Sequence, residues 1–234
     1  PMPAPPSKKK ILLDSDGYIA PMSIFSLYNI TNTTYKVVSS QAVAEFQNDA
    51  CISIADMNMF TNDSGLNTMH LNSSHIIGIC DLNTSMPDVE ASLDIQYQWG
   101  VNDNAEQYYI SVKDWMYEFT VDVYEMNTPP EVISMSWGWA EYDQCDPSVF
   151  PECYISGSAE IYSKRTNTQF MKLAMRGVTL VASSGDAGAP GRTNEMCDNS
   201  TTTHVLNPVF PTSSPWVTSV GGTYIINPGT FNNN

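Results

Sequence analysis

The sequence has few positive charges, because its 234 residues include only 10 lysines and arginines against 25 aspartates and glutamates. The resulting formal net charge of -15 at pH 7 repels the phosphates of nucleic acids and anionic lipids, so neither is expected as a partner. The chain also lacks any apolar run of the roughly 20 residues that a membrane-spanning helix requires. Because carboxyl groups become neutral near their pKa of about 4, the composition suits solubility in general and an acidic compartment in particular.

Cysteine and histidine are scarce, and neither occurs in a spacing typical of metal sites. No CxxC pair is present, so we predict no zinc site. The five cysteines are Cys51, Cys80, Cys145, Cys153 and Cys197. Cys145 and Cys153 flank a short loop that contains proline, CDPSVFPEC, and a local disulfide between them is predicted. An odd number of cysteines in a secreted protein leaves at least one without a partner in the same chain.

Asparagine, serine and threonine are abundant, and they form six Asn-x-Ser/Thr sequons. The sequon asparagines are Asn29, Asn32, Asn62, Asn72, Asn83 and Asn199. This number predicts a glycoprotein of the secretory route that carries glycans on surface loops. The opening sequence, PMPAPPSKKK, is rich in proline and lysine and has no apolar stretch of a signal peptide behind it. Residues 1–18 are therefore predicted to be a linker or a processing remnant.

Patterns typical of strands and helices alternate along the rest of the chain. Strands are predicted at 75–80, 108–112 and 131–138, and strands together with the turns that follow them at 178–188 and 215–223. Helices are predicted at 40–49, 88–100, 114–126 and 158–177. The polar stretch 58–74 is predicted to form turns. This alternation predicts an α/β fold, in which helices cover both faces of a parallel sheet and sites lie beyond the carboxyl ends of strands.

Three acidic residues are candidates for chemistry. Glu90 and Asp94 are four residues apart on a predicted helix, so their carboxyl groups share one face, titrate together and can hold one proton. Such a pair can act as a general base at acidic pH, although the same spacing is common on solvated helix surfaces. Asp186 follows a predicted strand in SSGDAG, where its protonated form would donate a hydrogen bond to an oxyanion. The alternative for Asp186 is a turn residue that binds nearby backbone donors.

Another motif, SMSWG, ends the strand predicted at 131–138. Its last three residues are Ser136, Trp137 and Gly138. A glycine at this position would leave a backbone edge with which a peptide substrate can pair as an added strand. The alternative is a strand end with a packed tryptophan.

Four segments, VEASLDIQY, SMSWG, VASSGDAG and FPTSSPWVTSVGGT, occur in this order. Together they resemble the sedolisin family of serine-carboxyl peptidases, over residues 19–223, and the resemblance implies a subtilisin-like α/β fold. It further implies that Glu90 is the general base, Asp94 its orienting acid and Asp186 the oxyanion donor, and that the end of SMSWG binds substrate. The catalytic histidine motif of true subtilisins is missing, since none of the three histidines has that context.

The serine nucleophile that this resemblance implies has no counterpart in the chain. The family's serine lies in an S-G-T-S-A-S-type motif beyond the V-G-G-T turn, and no serine here fits that motif. Residues 19–234 are therefore expected to be the N-terminal part of a catalytic domain. A C-terminal segment or a second chain is expected to supply the serine, part of the sheet and the family's calcium site. Cys197 is a candidate for a disulfide to that segment.

The resemblance implies an acid-acting serine peptidase that is inactive as this chain alone. No cofactor is expected in the chain itself, and peptides or proteins are the expected substrates. The expected location is the lysosome, another acidic vesicle or the outside of the cell. Two alternatives stay open, which are a non-catalytic relative that binds peptides or a partner, and a structural secreted glycoprotein.

Overall fold

Five α-helices and eight β-strands alternate in the part of the chain that the computed structural model describes, which is residues 18–30, 39–46, 51–71, 73–145, 157–191 and 206–223. The helices are α1 (Pro21–Tyr28), α2 (Ile54–Asp63), α3 (Val89–Val101), α4 (Met116–Glu125) and α5 (Ala159–Met175). The strands are β1 (Ser40–Glu45), β2 (Ile76–Ile77), β3 (Glu106–Ser111), β4 (Val132–Met135), β5 (Trp139–Ala140), β6 (Thr179–Ser183), β7 (Val209–Phe210) and β8 (Val217–Val220). No helix in these ranges is both long enough and apolar enough to cross a membrane.

Six of the strands form one sheet in the order β2-β3-β1-β4-β6-β8. Every neighbouring pair in this sheet is parallel, and Ala42 of β1, for example, lies opposite both Tyr108 of β3 and Ile133 of β4. The strands β5 and β7 form a separate antiparallel pair, in which Trp139 lies opposite Phe210. The parallel sheet confirms the predicted α/β class. Because its strands all point the same way, their carboxyl ends meet at one edge.

Helices cover both faces of this sheet. On β1, Ala42 and Ala44 belong to one buried core, which also contains Phe119 of α4 and Phe170 of α5. Val43 points to the opposite face, as alternate residues of a strand do, and it belongs to a second core built with α2 and α3. The middle of β1 is therefore completely buried on both faces, which is typical of a parallel sheet between two helical layers.

The helix predicted at 40–49 is wrong, because Ser40–Glu45 forms the central strand β1. Alanine, glutamine and glutamate favour helices, but the preference amounts to only tenths of a kcal/mol per residue. Pairing with β3 on one side and β4 on the other, together with burial on both faces, outweighs that preference. Residues 47–50 lie outside the described ranges.

The turns predicted at 58–74 are wrong in their first part, because α2 extends to Asp63. Ser53 caps this helix by accepting a hydrogen bond from the backbone of Asp56. Only Met57 and Thr61, one turn apart, are buried, and so narrow a buried stripe is easily missed in a polar sequence. The strand predicted at 75–80 is also shorter and less buried than expected, since β2 comprises two half-buried residues.

The three remaining predicted helices correspond to α3, α4 and α5, whereas α1 was not predicted. The N-caps mark where two of them begin, since Asp88 accepts a hydrogen bond from the backbone of Ala91 at 2.9 Å and Ser158 caps α5 in the same manner. In α3, Ala91, Ile95 and Trp99 recur every four residues and are all buried. These apolar contacts pack one face of α3 against β1.

Candidate active site

Residues that follow three neighbouring strands meet at the carboxyl edge of the sheet. Glu45 ends β1, the SMSWG residues 136–138 follow β4, and Asp186 lies in the turn after β6. The helix α3, which packs on β1, brings Asp94 to the same edge. Residues that are far apart in the sequence thus form one site, at the position that parallel α/β sheets favour.

The centre of this site is the contact between Asp94 and Ser136. The hydroxyl of Ser136 donates a hydrogen bond to Asp94 Oδ2 at 2.6 Å. Burial raises the pKa of Asp94 to about 6, the bond from Ser136 opposes this rise, and the negative charge of Glu90 adds to it. Asp94 therefore keeps its proton in mildly acidic solution, where an ordinary aspartate has lost it.

Glu90 lies on the solvent side of this pair. It is exposed in the first turn of α3, one turn before Asp94, which is about 6 Å along the helix axis. Its charge raises the pKa of both Asp94 and Glu45, so the three carboxyl groups interact electrostatically. The structure thus brings together the two acids of the predicted pair, and it makes Glu90 the more accessible of them.

Glu45 is a member of this site that the sequence did not point to. Its Oε2 accepts a hydrogen bond from Trp137 Nε1 at 2.8 Å, and the residue is only 1% exposed. Burial raises its pKa to about 8; the bond from Trp137 opposes the rise, and the charges of the acids on α3 add to it. Glu45 is therefore neutral at acidic pH. The sequence did contain a signal for Glu45, namely an acidic residue inside the apolar run AVAEF. The incorrect helix prediction concealed this signal.

Asp186 lies beside Ser136, at the carboxyl edge of the sheet. It is exposed, and it lines a cleft together with Ser136 and Gly138. The preceding residue, Gly185, has a φ of 88°, a conformation that glycine adopts far more readily than other residues. A Cβ atom there would also lie 3.3 Å from Val209 Cγ2, which is a tight contact, so the backbone conformation is the main reason for glycine at this position.

Gly138 allows β7 to approach the end of β4. A Cβ atom on Gly138 would lie 2.6 Å from Val209 Cγ1 and 3.1 Å from the carbonyl oxygen of Phe210. Next to it, the ring of Trp137 packs edge-on against Phe46, with 6.0 Å between the centroids. This packing fixes the shape of the loop after β4, while the substrate-binding role of residues 136–138 stays a prediction.

Known proteins resemble the chain in sequence and in fold, although no family model matches it. Physarolisin from Physarum polycephalum is 38% identical over 214 residues, which are 91% of this chain and 36% of physarolisin. Tripeptidyl-peptidase 1 from Mus musculus is 32% identical over 146 residues, which are 60% of this chain and 22% of that protein. A structure of Pseudomonas sedolisin, a serine-carboxyl proteinase complexed with two molecules of pseudo-iodotyrostatin, matches with a TM-score of 0.61. The chain is a sedolisin-family relative.

The comparison with the sedolisin structure concerns the fold alone, because the sequence identity is 20%. It covers 87% of this chain and 53% of the sedolisin chain, and it confirms the expected subtilisin-like α/β fold. This sedolisin relative spans far less than two thirds of the length of physarolisin or of the mouse protein.

One disulfide of this sedolisin relative was not predicted. Cys51 and Cys80 are bonded, with 4.9 Å between their Cα atoms, and they join the segment before α2 to the loop after β2. Cys145 is also disulfide-bonded. Its predicted partner, Cys153, lies outside the described residues, as does Cys197.

Three sequon asparagines, Asn29, Asn62 and Asn83, lie in the described ranges, and all three are exposed. The remaining three, Asn32, Asn72 and Asn199, lie outside these ranges. Exposure is what an attached glycan requires, so the glycosylation prediction is compatible with the fold but untested by it.

Among the residues described, no group of three or more histidines, cysteines, aspartates or glutamates is placed to hold a metal ion. The calcium site that the family resemblance implies therefore has no ligand set in these ranges.

Proposed function

We propose that this chain is the N-terminal part of an acid-acting serine-carboxyl peptidase, which hydrolyses peptide bonds by acyl transfer. The observation that carries the proposal is Asp94, a half-buried acid with a raised pKa that lies one helical turn from the exposed Glu90. Asp186 lies at the same edge of the sheet, and its protonated carboxyl would donate a hydrogen bond to the oxyanion. The peptidase relatives named above support the reaction class.

In the proposed mechanism, Glu90 accepts the proton of an attacking serine, and Asp94 shares this proton and stabilises the pair. The serine oxygen bonds to the carbonyl carbon, the carbonyl π electrons move to its oxygen, and the carboxyl of Asp186 donates a hydrogen bond to that oxyanion. Glu90 then gives the proton to the leaving amine as the C–N bond breaks. Water hydrolyses the resulting acyl-serine through the same steps.

The proposed pH dependence follows from Asp94. Its pKa is raised to about 6, so the proton that it shares with Glu90 is present below that pH and is lost as the pH rises through it. Activity is therefore expected at acidic pH, with a decline near pH 6. Glu45, behind Asp94, stays neutral in the same range and adds no negative charge to the site.

A groove lies at the carboxyl ends of β4, β6 and β8. It supports the proposal that another segment supplies the serine. Ser136, Asp186 and Val220 are among its walls. Among the described residues, the strand β8 forms one edge of the sheet, and its last three residues are exposed. Because an open strand edge pairs readily with another strand, we place a C-terminal segment or second chain along β8, with the serine and the calcium site on it.

An acidic, oxidising compartment is part of the same proposal, namely the lysosome, another acidic vesicle or the outside of the cell. The Cys51–Cys80 disulfide supports an oxidising environment, and the three exposed sequons support the secretory route. The excess of carboxyl groups supports an acidic one, since their mutual repulsion falls as they become protonated.

The substitution Glu90→Gln, made in the chain together with the segment that supplies the serine, tests this mechanism. Removal of a general base is expected to lower kcat by about 10²- to 10⁴-fold. Hydrolysis of a fluorogenic peptide between pH 3 and pH 7 measures the effect, and Glu125→Gln on the exposed end of α4 is the matched control. Full turnover in Glu90→Gln would refute the role of Glu90, and a wild type that binds peptides without cleaving them would favour the non-catalytic alternative.

The second segment is tested by intact-mass measurement of the natural protein under denaturing conditions, with and without reductant. A companion polypeptide that contains a GTS motif is expected. A single 25.9 kDa chain that carries only glycans would contradict this part of the proposal.

A further inference from the structure

We infer that Gln98 is a positioning residue for Glu90 and Asp94, because its side-chain amide ties the helix that carries both acids to two strands of the sheet. The inference rests on the proposed function, since positioning matters here only if the two acids act in catalysis. It does not depend on where the serine comes from.

Both ends of the Gln98 amide are used. Its Nε2 donates to the carbonyl oxygen of Ala42 in β1 at 2.9 Å, and its Oε1 accepts from Gln107 Nε2 in β3 at 2.9 Å. One side chain thus connects α3 with two adjacent strands. Ala42 lies three residues before Glu45, so the strand that receives this bond is also the one that carries the buried acid.

The partners of Gln98 are themselves held in place. Gln107 is 3% exposed, and its Oε1 accepts from Gln41 Nε2 at 2.9 Å. Gln41 is 7% exposed and also donates to the carbonyl oxygen of Asn102, the C-cap of α3, at 3.2 Å. The three glutamines form a network whose bonds are mutually satisfied, and such networks favour one arrangement of the elements that they join.

The apolar contacts of α3 do not fix its rotation to the same extent. Ala91, Ile95 and Trp99 bury one stripe of the helix, but burial of apolar surface is not directional. Glu90, Asp94 and Gln98 lie on a neighbouring stripe, four residues apart in turn, so a bond that fixes Gln98 also fixes the direction of both acids.

The geometry of the helix shows how much rotation matters. A carboxyl group about 5 Å from the helix axis moves by about 1 Å when the helix rotates by roughly 10°. That displacement would break the 2.6 Å hydrogen bond between Ser136 and Asp94. A misplacement of about 1 Å at a reacting group can lower a rate by roughly 100-fold.

The test compares Gln98→Leu with Gln96→Leu, which removes the same amide from the same helix at a position with no role in the network. The first readout is the titration of the Asp94 carboxyl by ¹³C NMR in the chain itself. In Gln98→Leu, loss of the Ser136–Asp94 hydrogen bond, which lowers the pKa of Asp94, is expected to raise that pKa above the wild-type value, while Gln96→Leu leaves the titration unchanged. If Gln98→Leu does not fold, Gln98→Asn, which is polar but one methylene too short to keep both bonds, takes its place.

The second readout is peptide hydrolysis with the serine-bearing segment present. Gln98→Leu is expected to lower kcat by roughly 100-fold with KM unchanged, and Gln96→Leu to retain wild-type kcat. An Asp94 titration in a folded Gln98 variant identical to that in Gln96→Leu would overturn the inference. A wild type without hydrolysis would instead overturn the proposed function, and the NMR comparison would still decide what Gln98 does.

Discussion

Glu45 is the acid of the site that burial makes hardest to ionise, and the substitution Glu45→Gln removes its ability to ionise. Glutamine has nearly the shape of a protonated glutamate, and its carbonyl oxygen can accept the 2.8 Å hydrogen bond that Trp137 Nε1 now donates to Glu45. At acidic pH the substitution therefore replaces one neutral, hydrogen-bonded side chain with another. We expect the free energy of unfolding at pH 4 to be nearly the same in the variant and the wild type.

At higher pH the two proteins are expected to differ. The pKa of Glu45 is 4.5 in the unfolded chain and about 8 in the folded one. Between these values the unfolded chain has released a proton that the folded chain retains, so the free energy of unfolding falls as the pH rises and the loss is complete above about pH 8. At about 1.4 kcal/mol per pH unit, the wild type loses roughly 5 kcal/mol, which is an upper bound for this group. Glu45→Gln has no such proton to lose.

Urea denaturation of both proteins at pH 4, 6 and 8, followed by tryptophan fluorescence, measures this difference. The wild type is expected to lose stability more steeply with rising pH than the variant, so that the variant is the more stable protein at pH 8. Glu125→Gln, on the surface of α4, is the control and should follow the wild type at every pH. Parallel profiles for Glu45→Gln and wild type would refute the claim that Glu45 is buried in its neutral form.

Two further predictions concern the loop after β4. Ser136→Ala removes the hydrogen bond that lowers the pKa of Asp94, so this pKa should rise above about 6 when the carboxyl is titrated by NMR; a fall would contradict the assigned bond. Gly138→Ala places a Cβ atom 2.6 Å from Val209, and the overpacking is expected to cost about 1–3 kcal/mol in thermal unfolding. Gly222→Ala, where no atom lies within 4 Å, should be nearly neutral, and equal stability of the two alanine variants would contradict the packing argument.

Three of the five helices, α3, α4 and α5, are predictable from the sequence because their signals are local. In α3, the capping aspartate Asp88 and the buried stripe of every fourth residue define both where the helix begins and which way it faces. The spacing of Glu90 and Asp94 on that helix then requires that they lie together, whatever the rest of the chain does. Strands β3, β4, β6 and β8 are also predictable, because each lies in a short apolar run between turns.

The error at β1 concerns a segment whose structure depends on distant partners. The residues of β1 favour a helix, and only pairing with β3, more than 60 residues away, and with β4 makes them a strand. That single error also concealed Glu45, because a glutamate in a predicted surface helix needs no explanation. The contacts between Glu45 and Trp137, and between Ser136 and Asp94, join residues 92 and 42 positions apart, which no local pattern reports.

The three acids on β1 and α3 differ stepwise in how deeply they are buried. Such a gradient suits a site that must hold a proton but also release one. Glu45 is 1% exposed, Asp94 is half-buried and Glu90 is exposed. Because burial raises the pKa of a carboxyl group, protons are held most tightly at Glu45 and next at Asp94. In the proposed mechanism, Glu90 is thus the acid that the serine would reach, with a protonated neighbour behind it that keeps the negative charge of the site low. A single carboxylate could accept a proton equally well, but only the neutral pair behind it prevents the repulsion that three ionised acids in one cluster would cause.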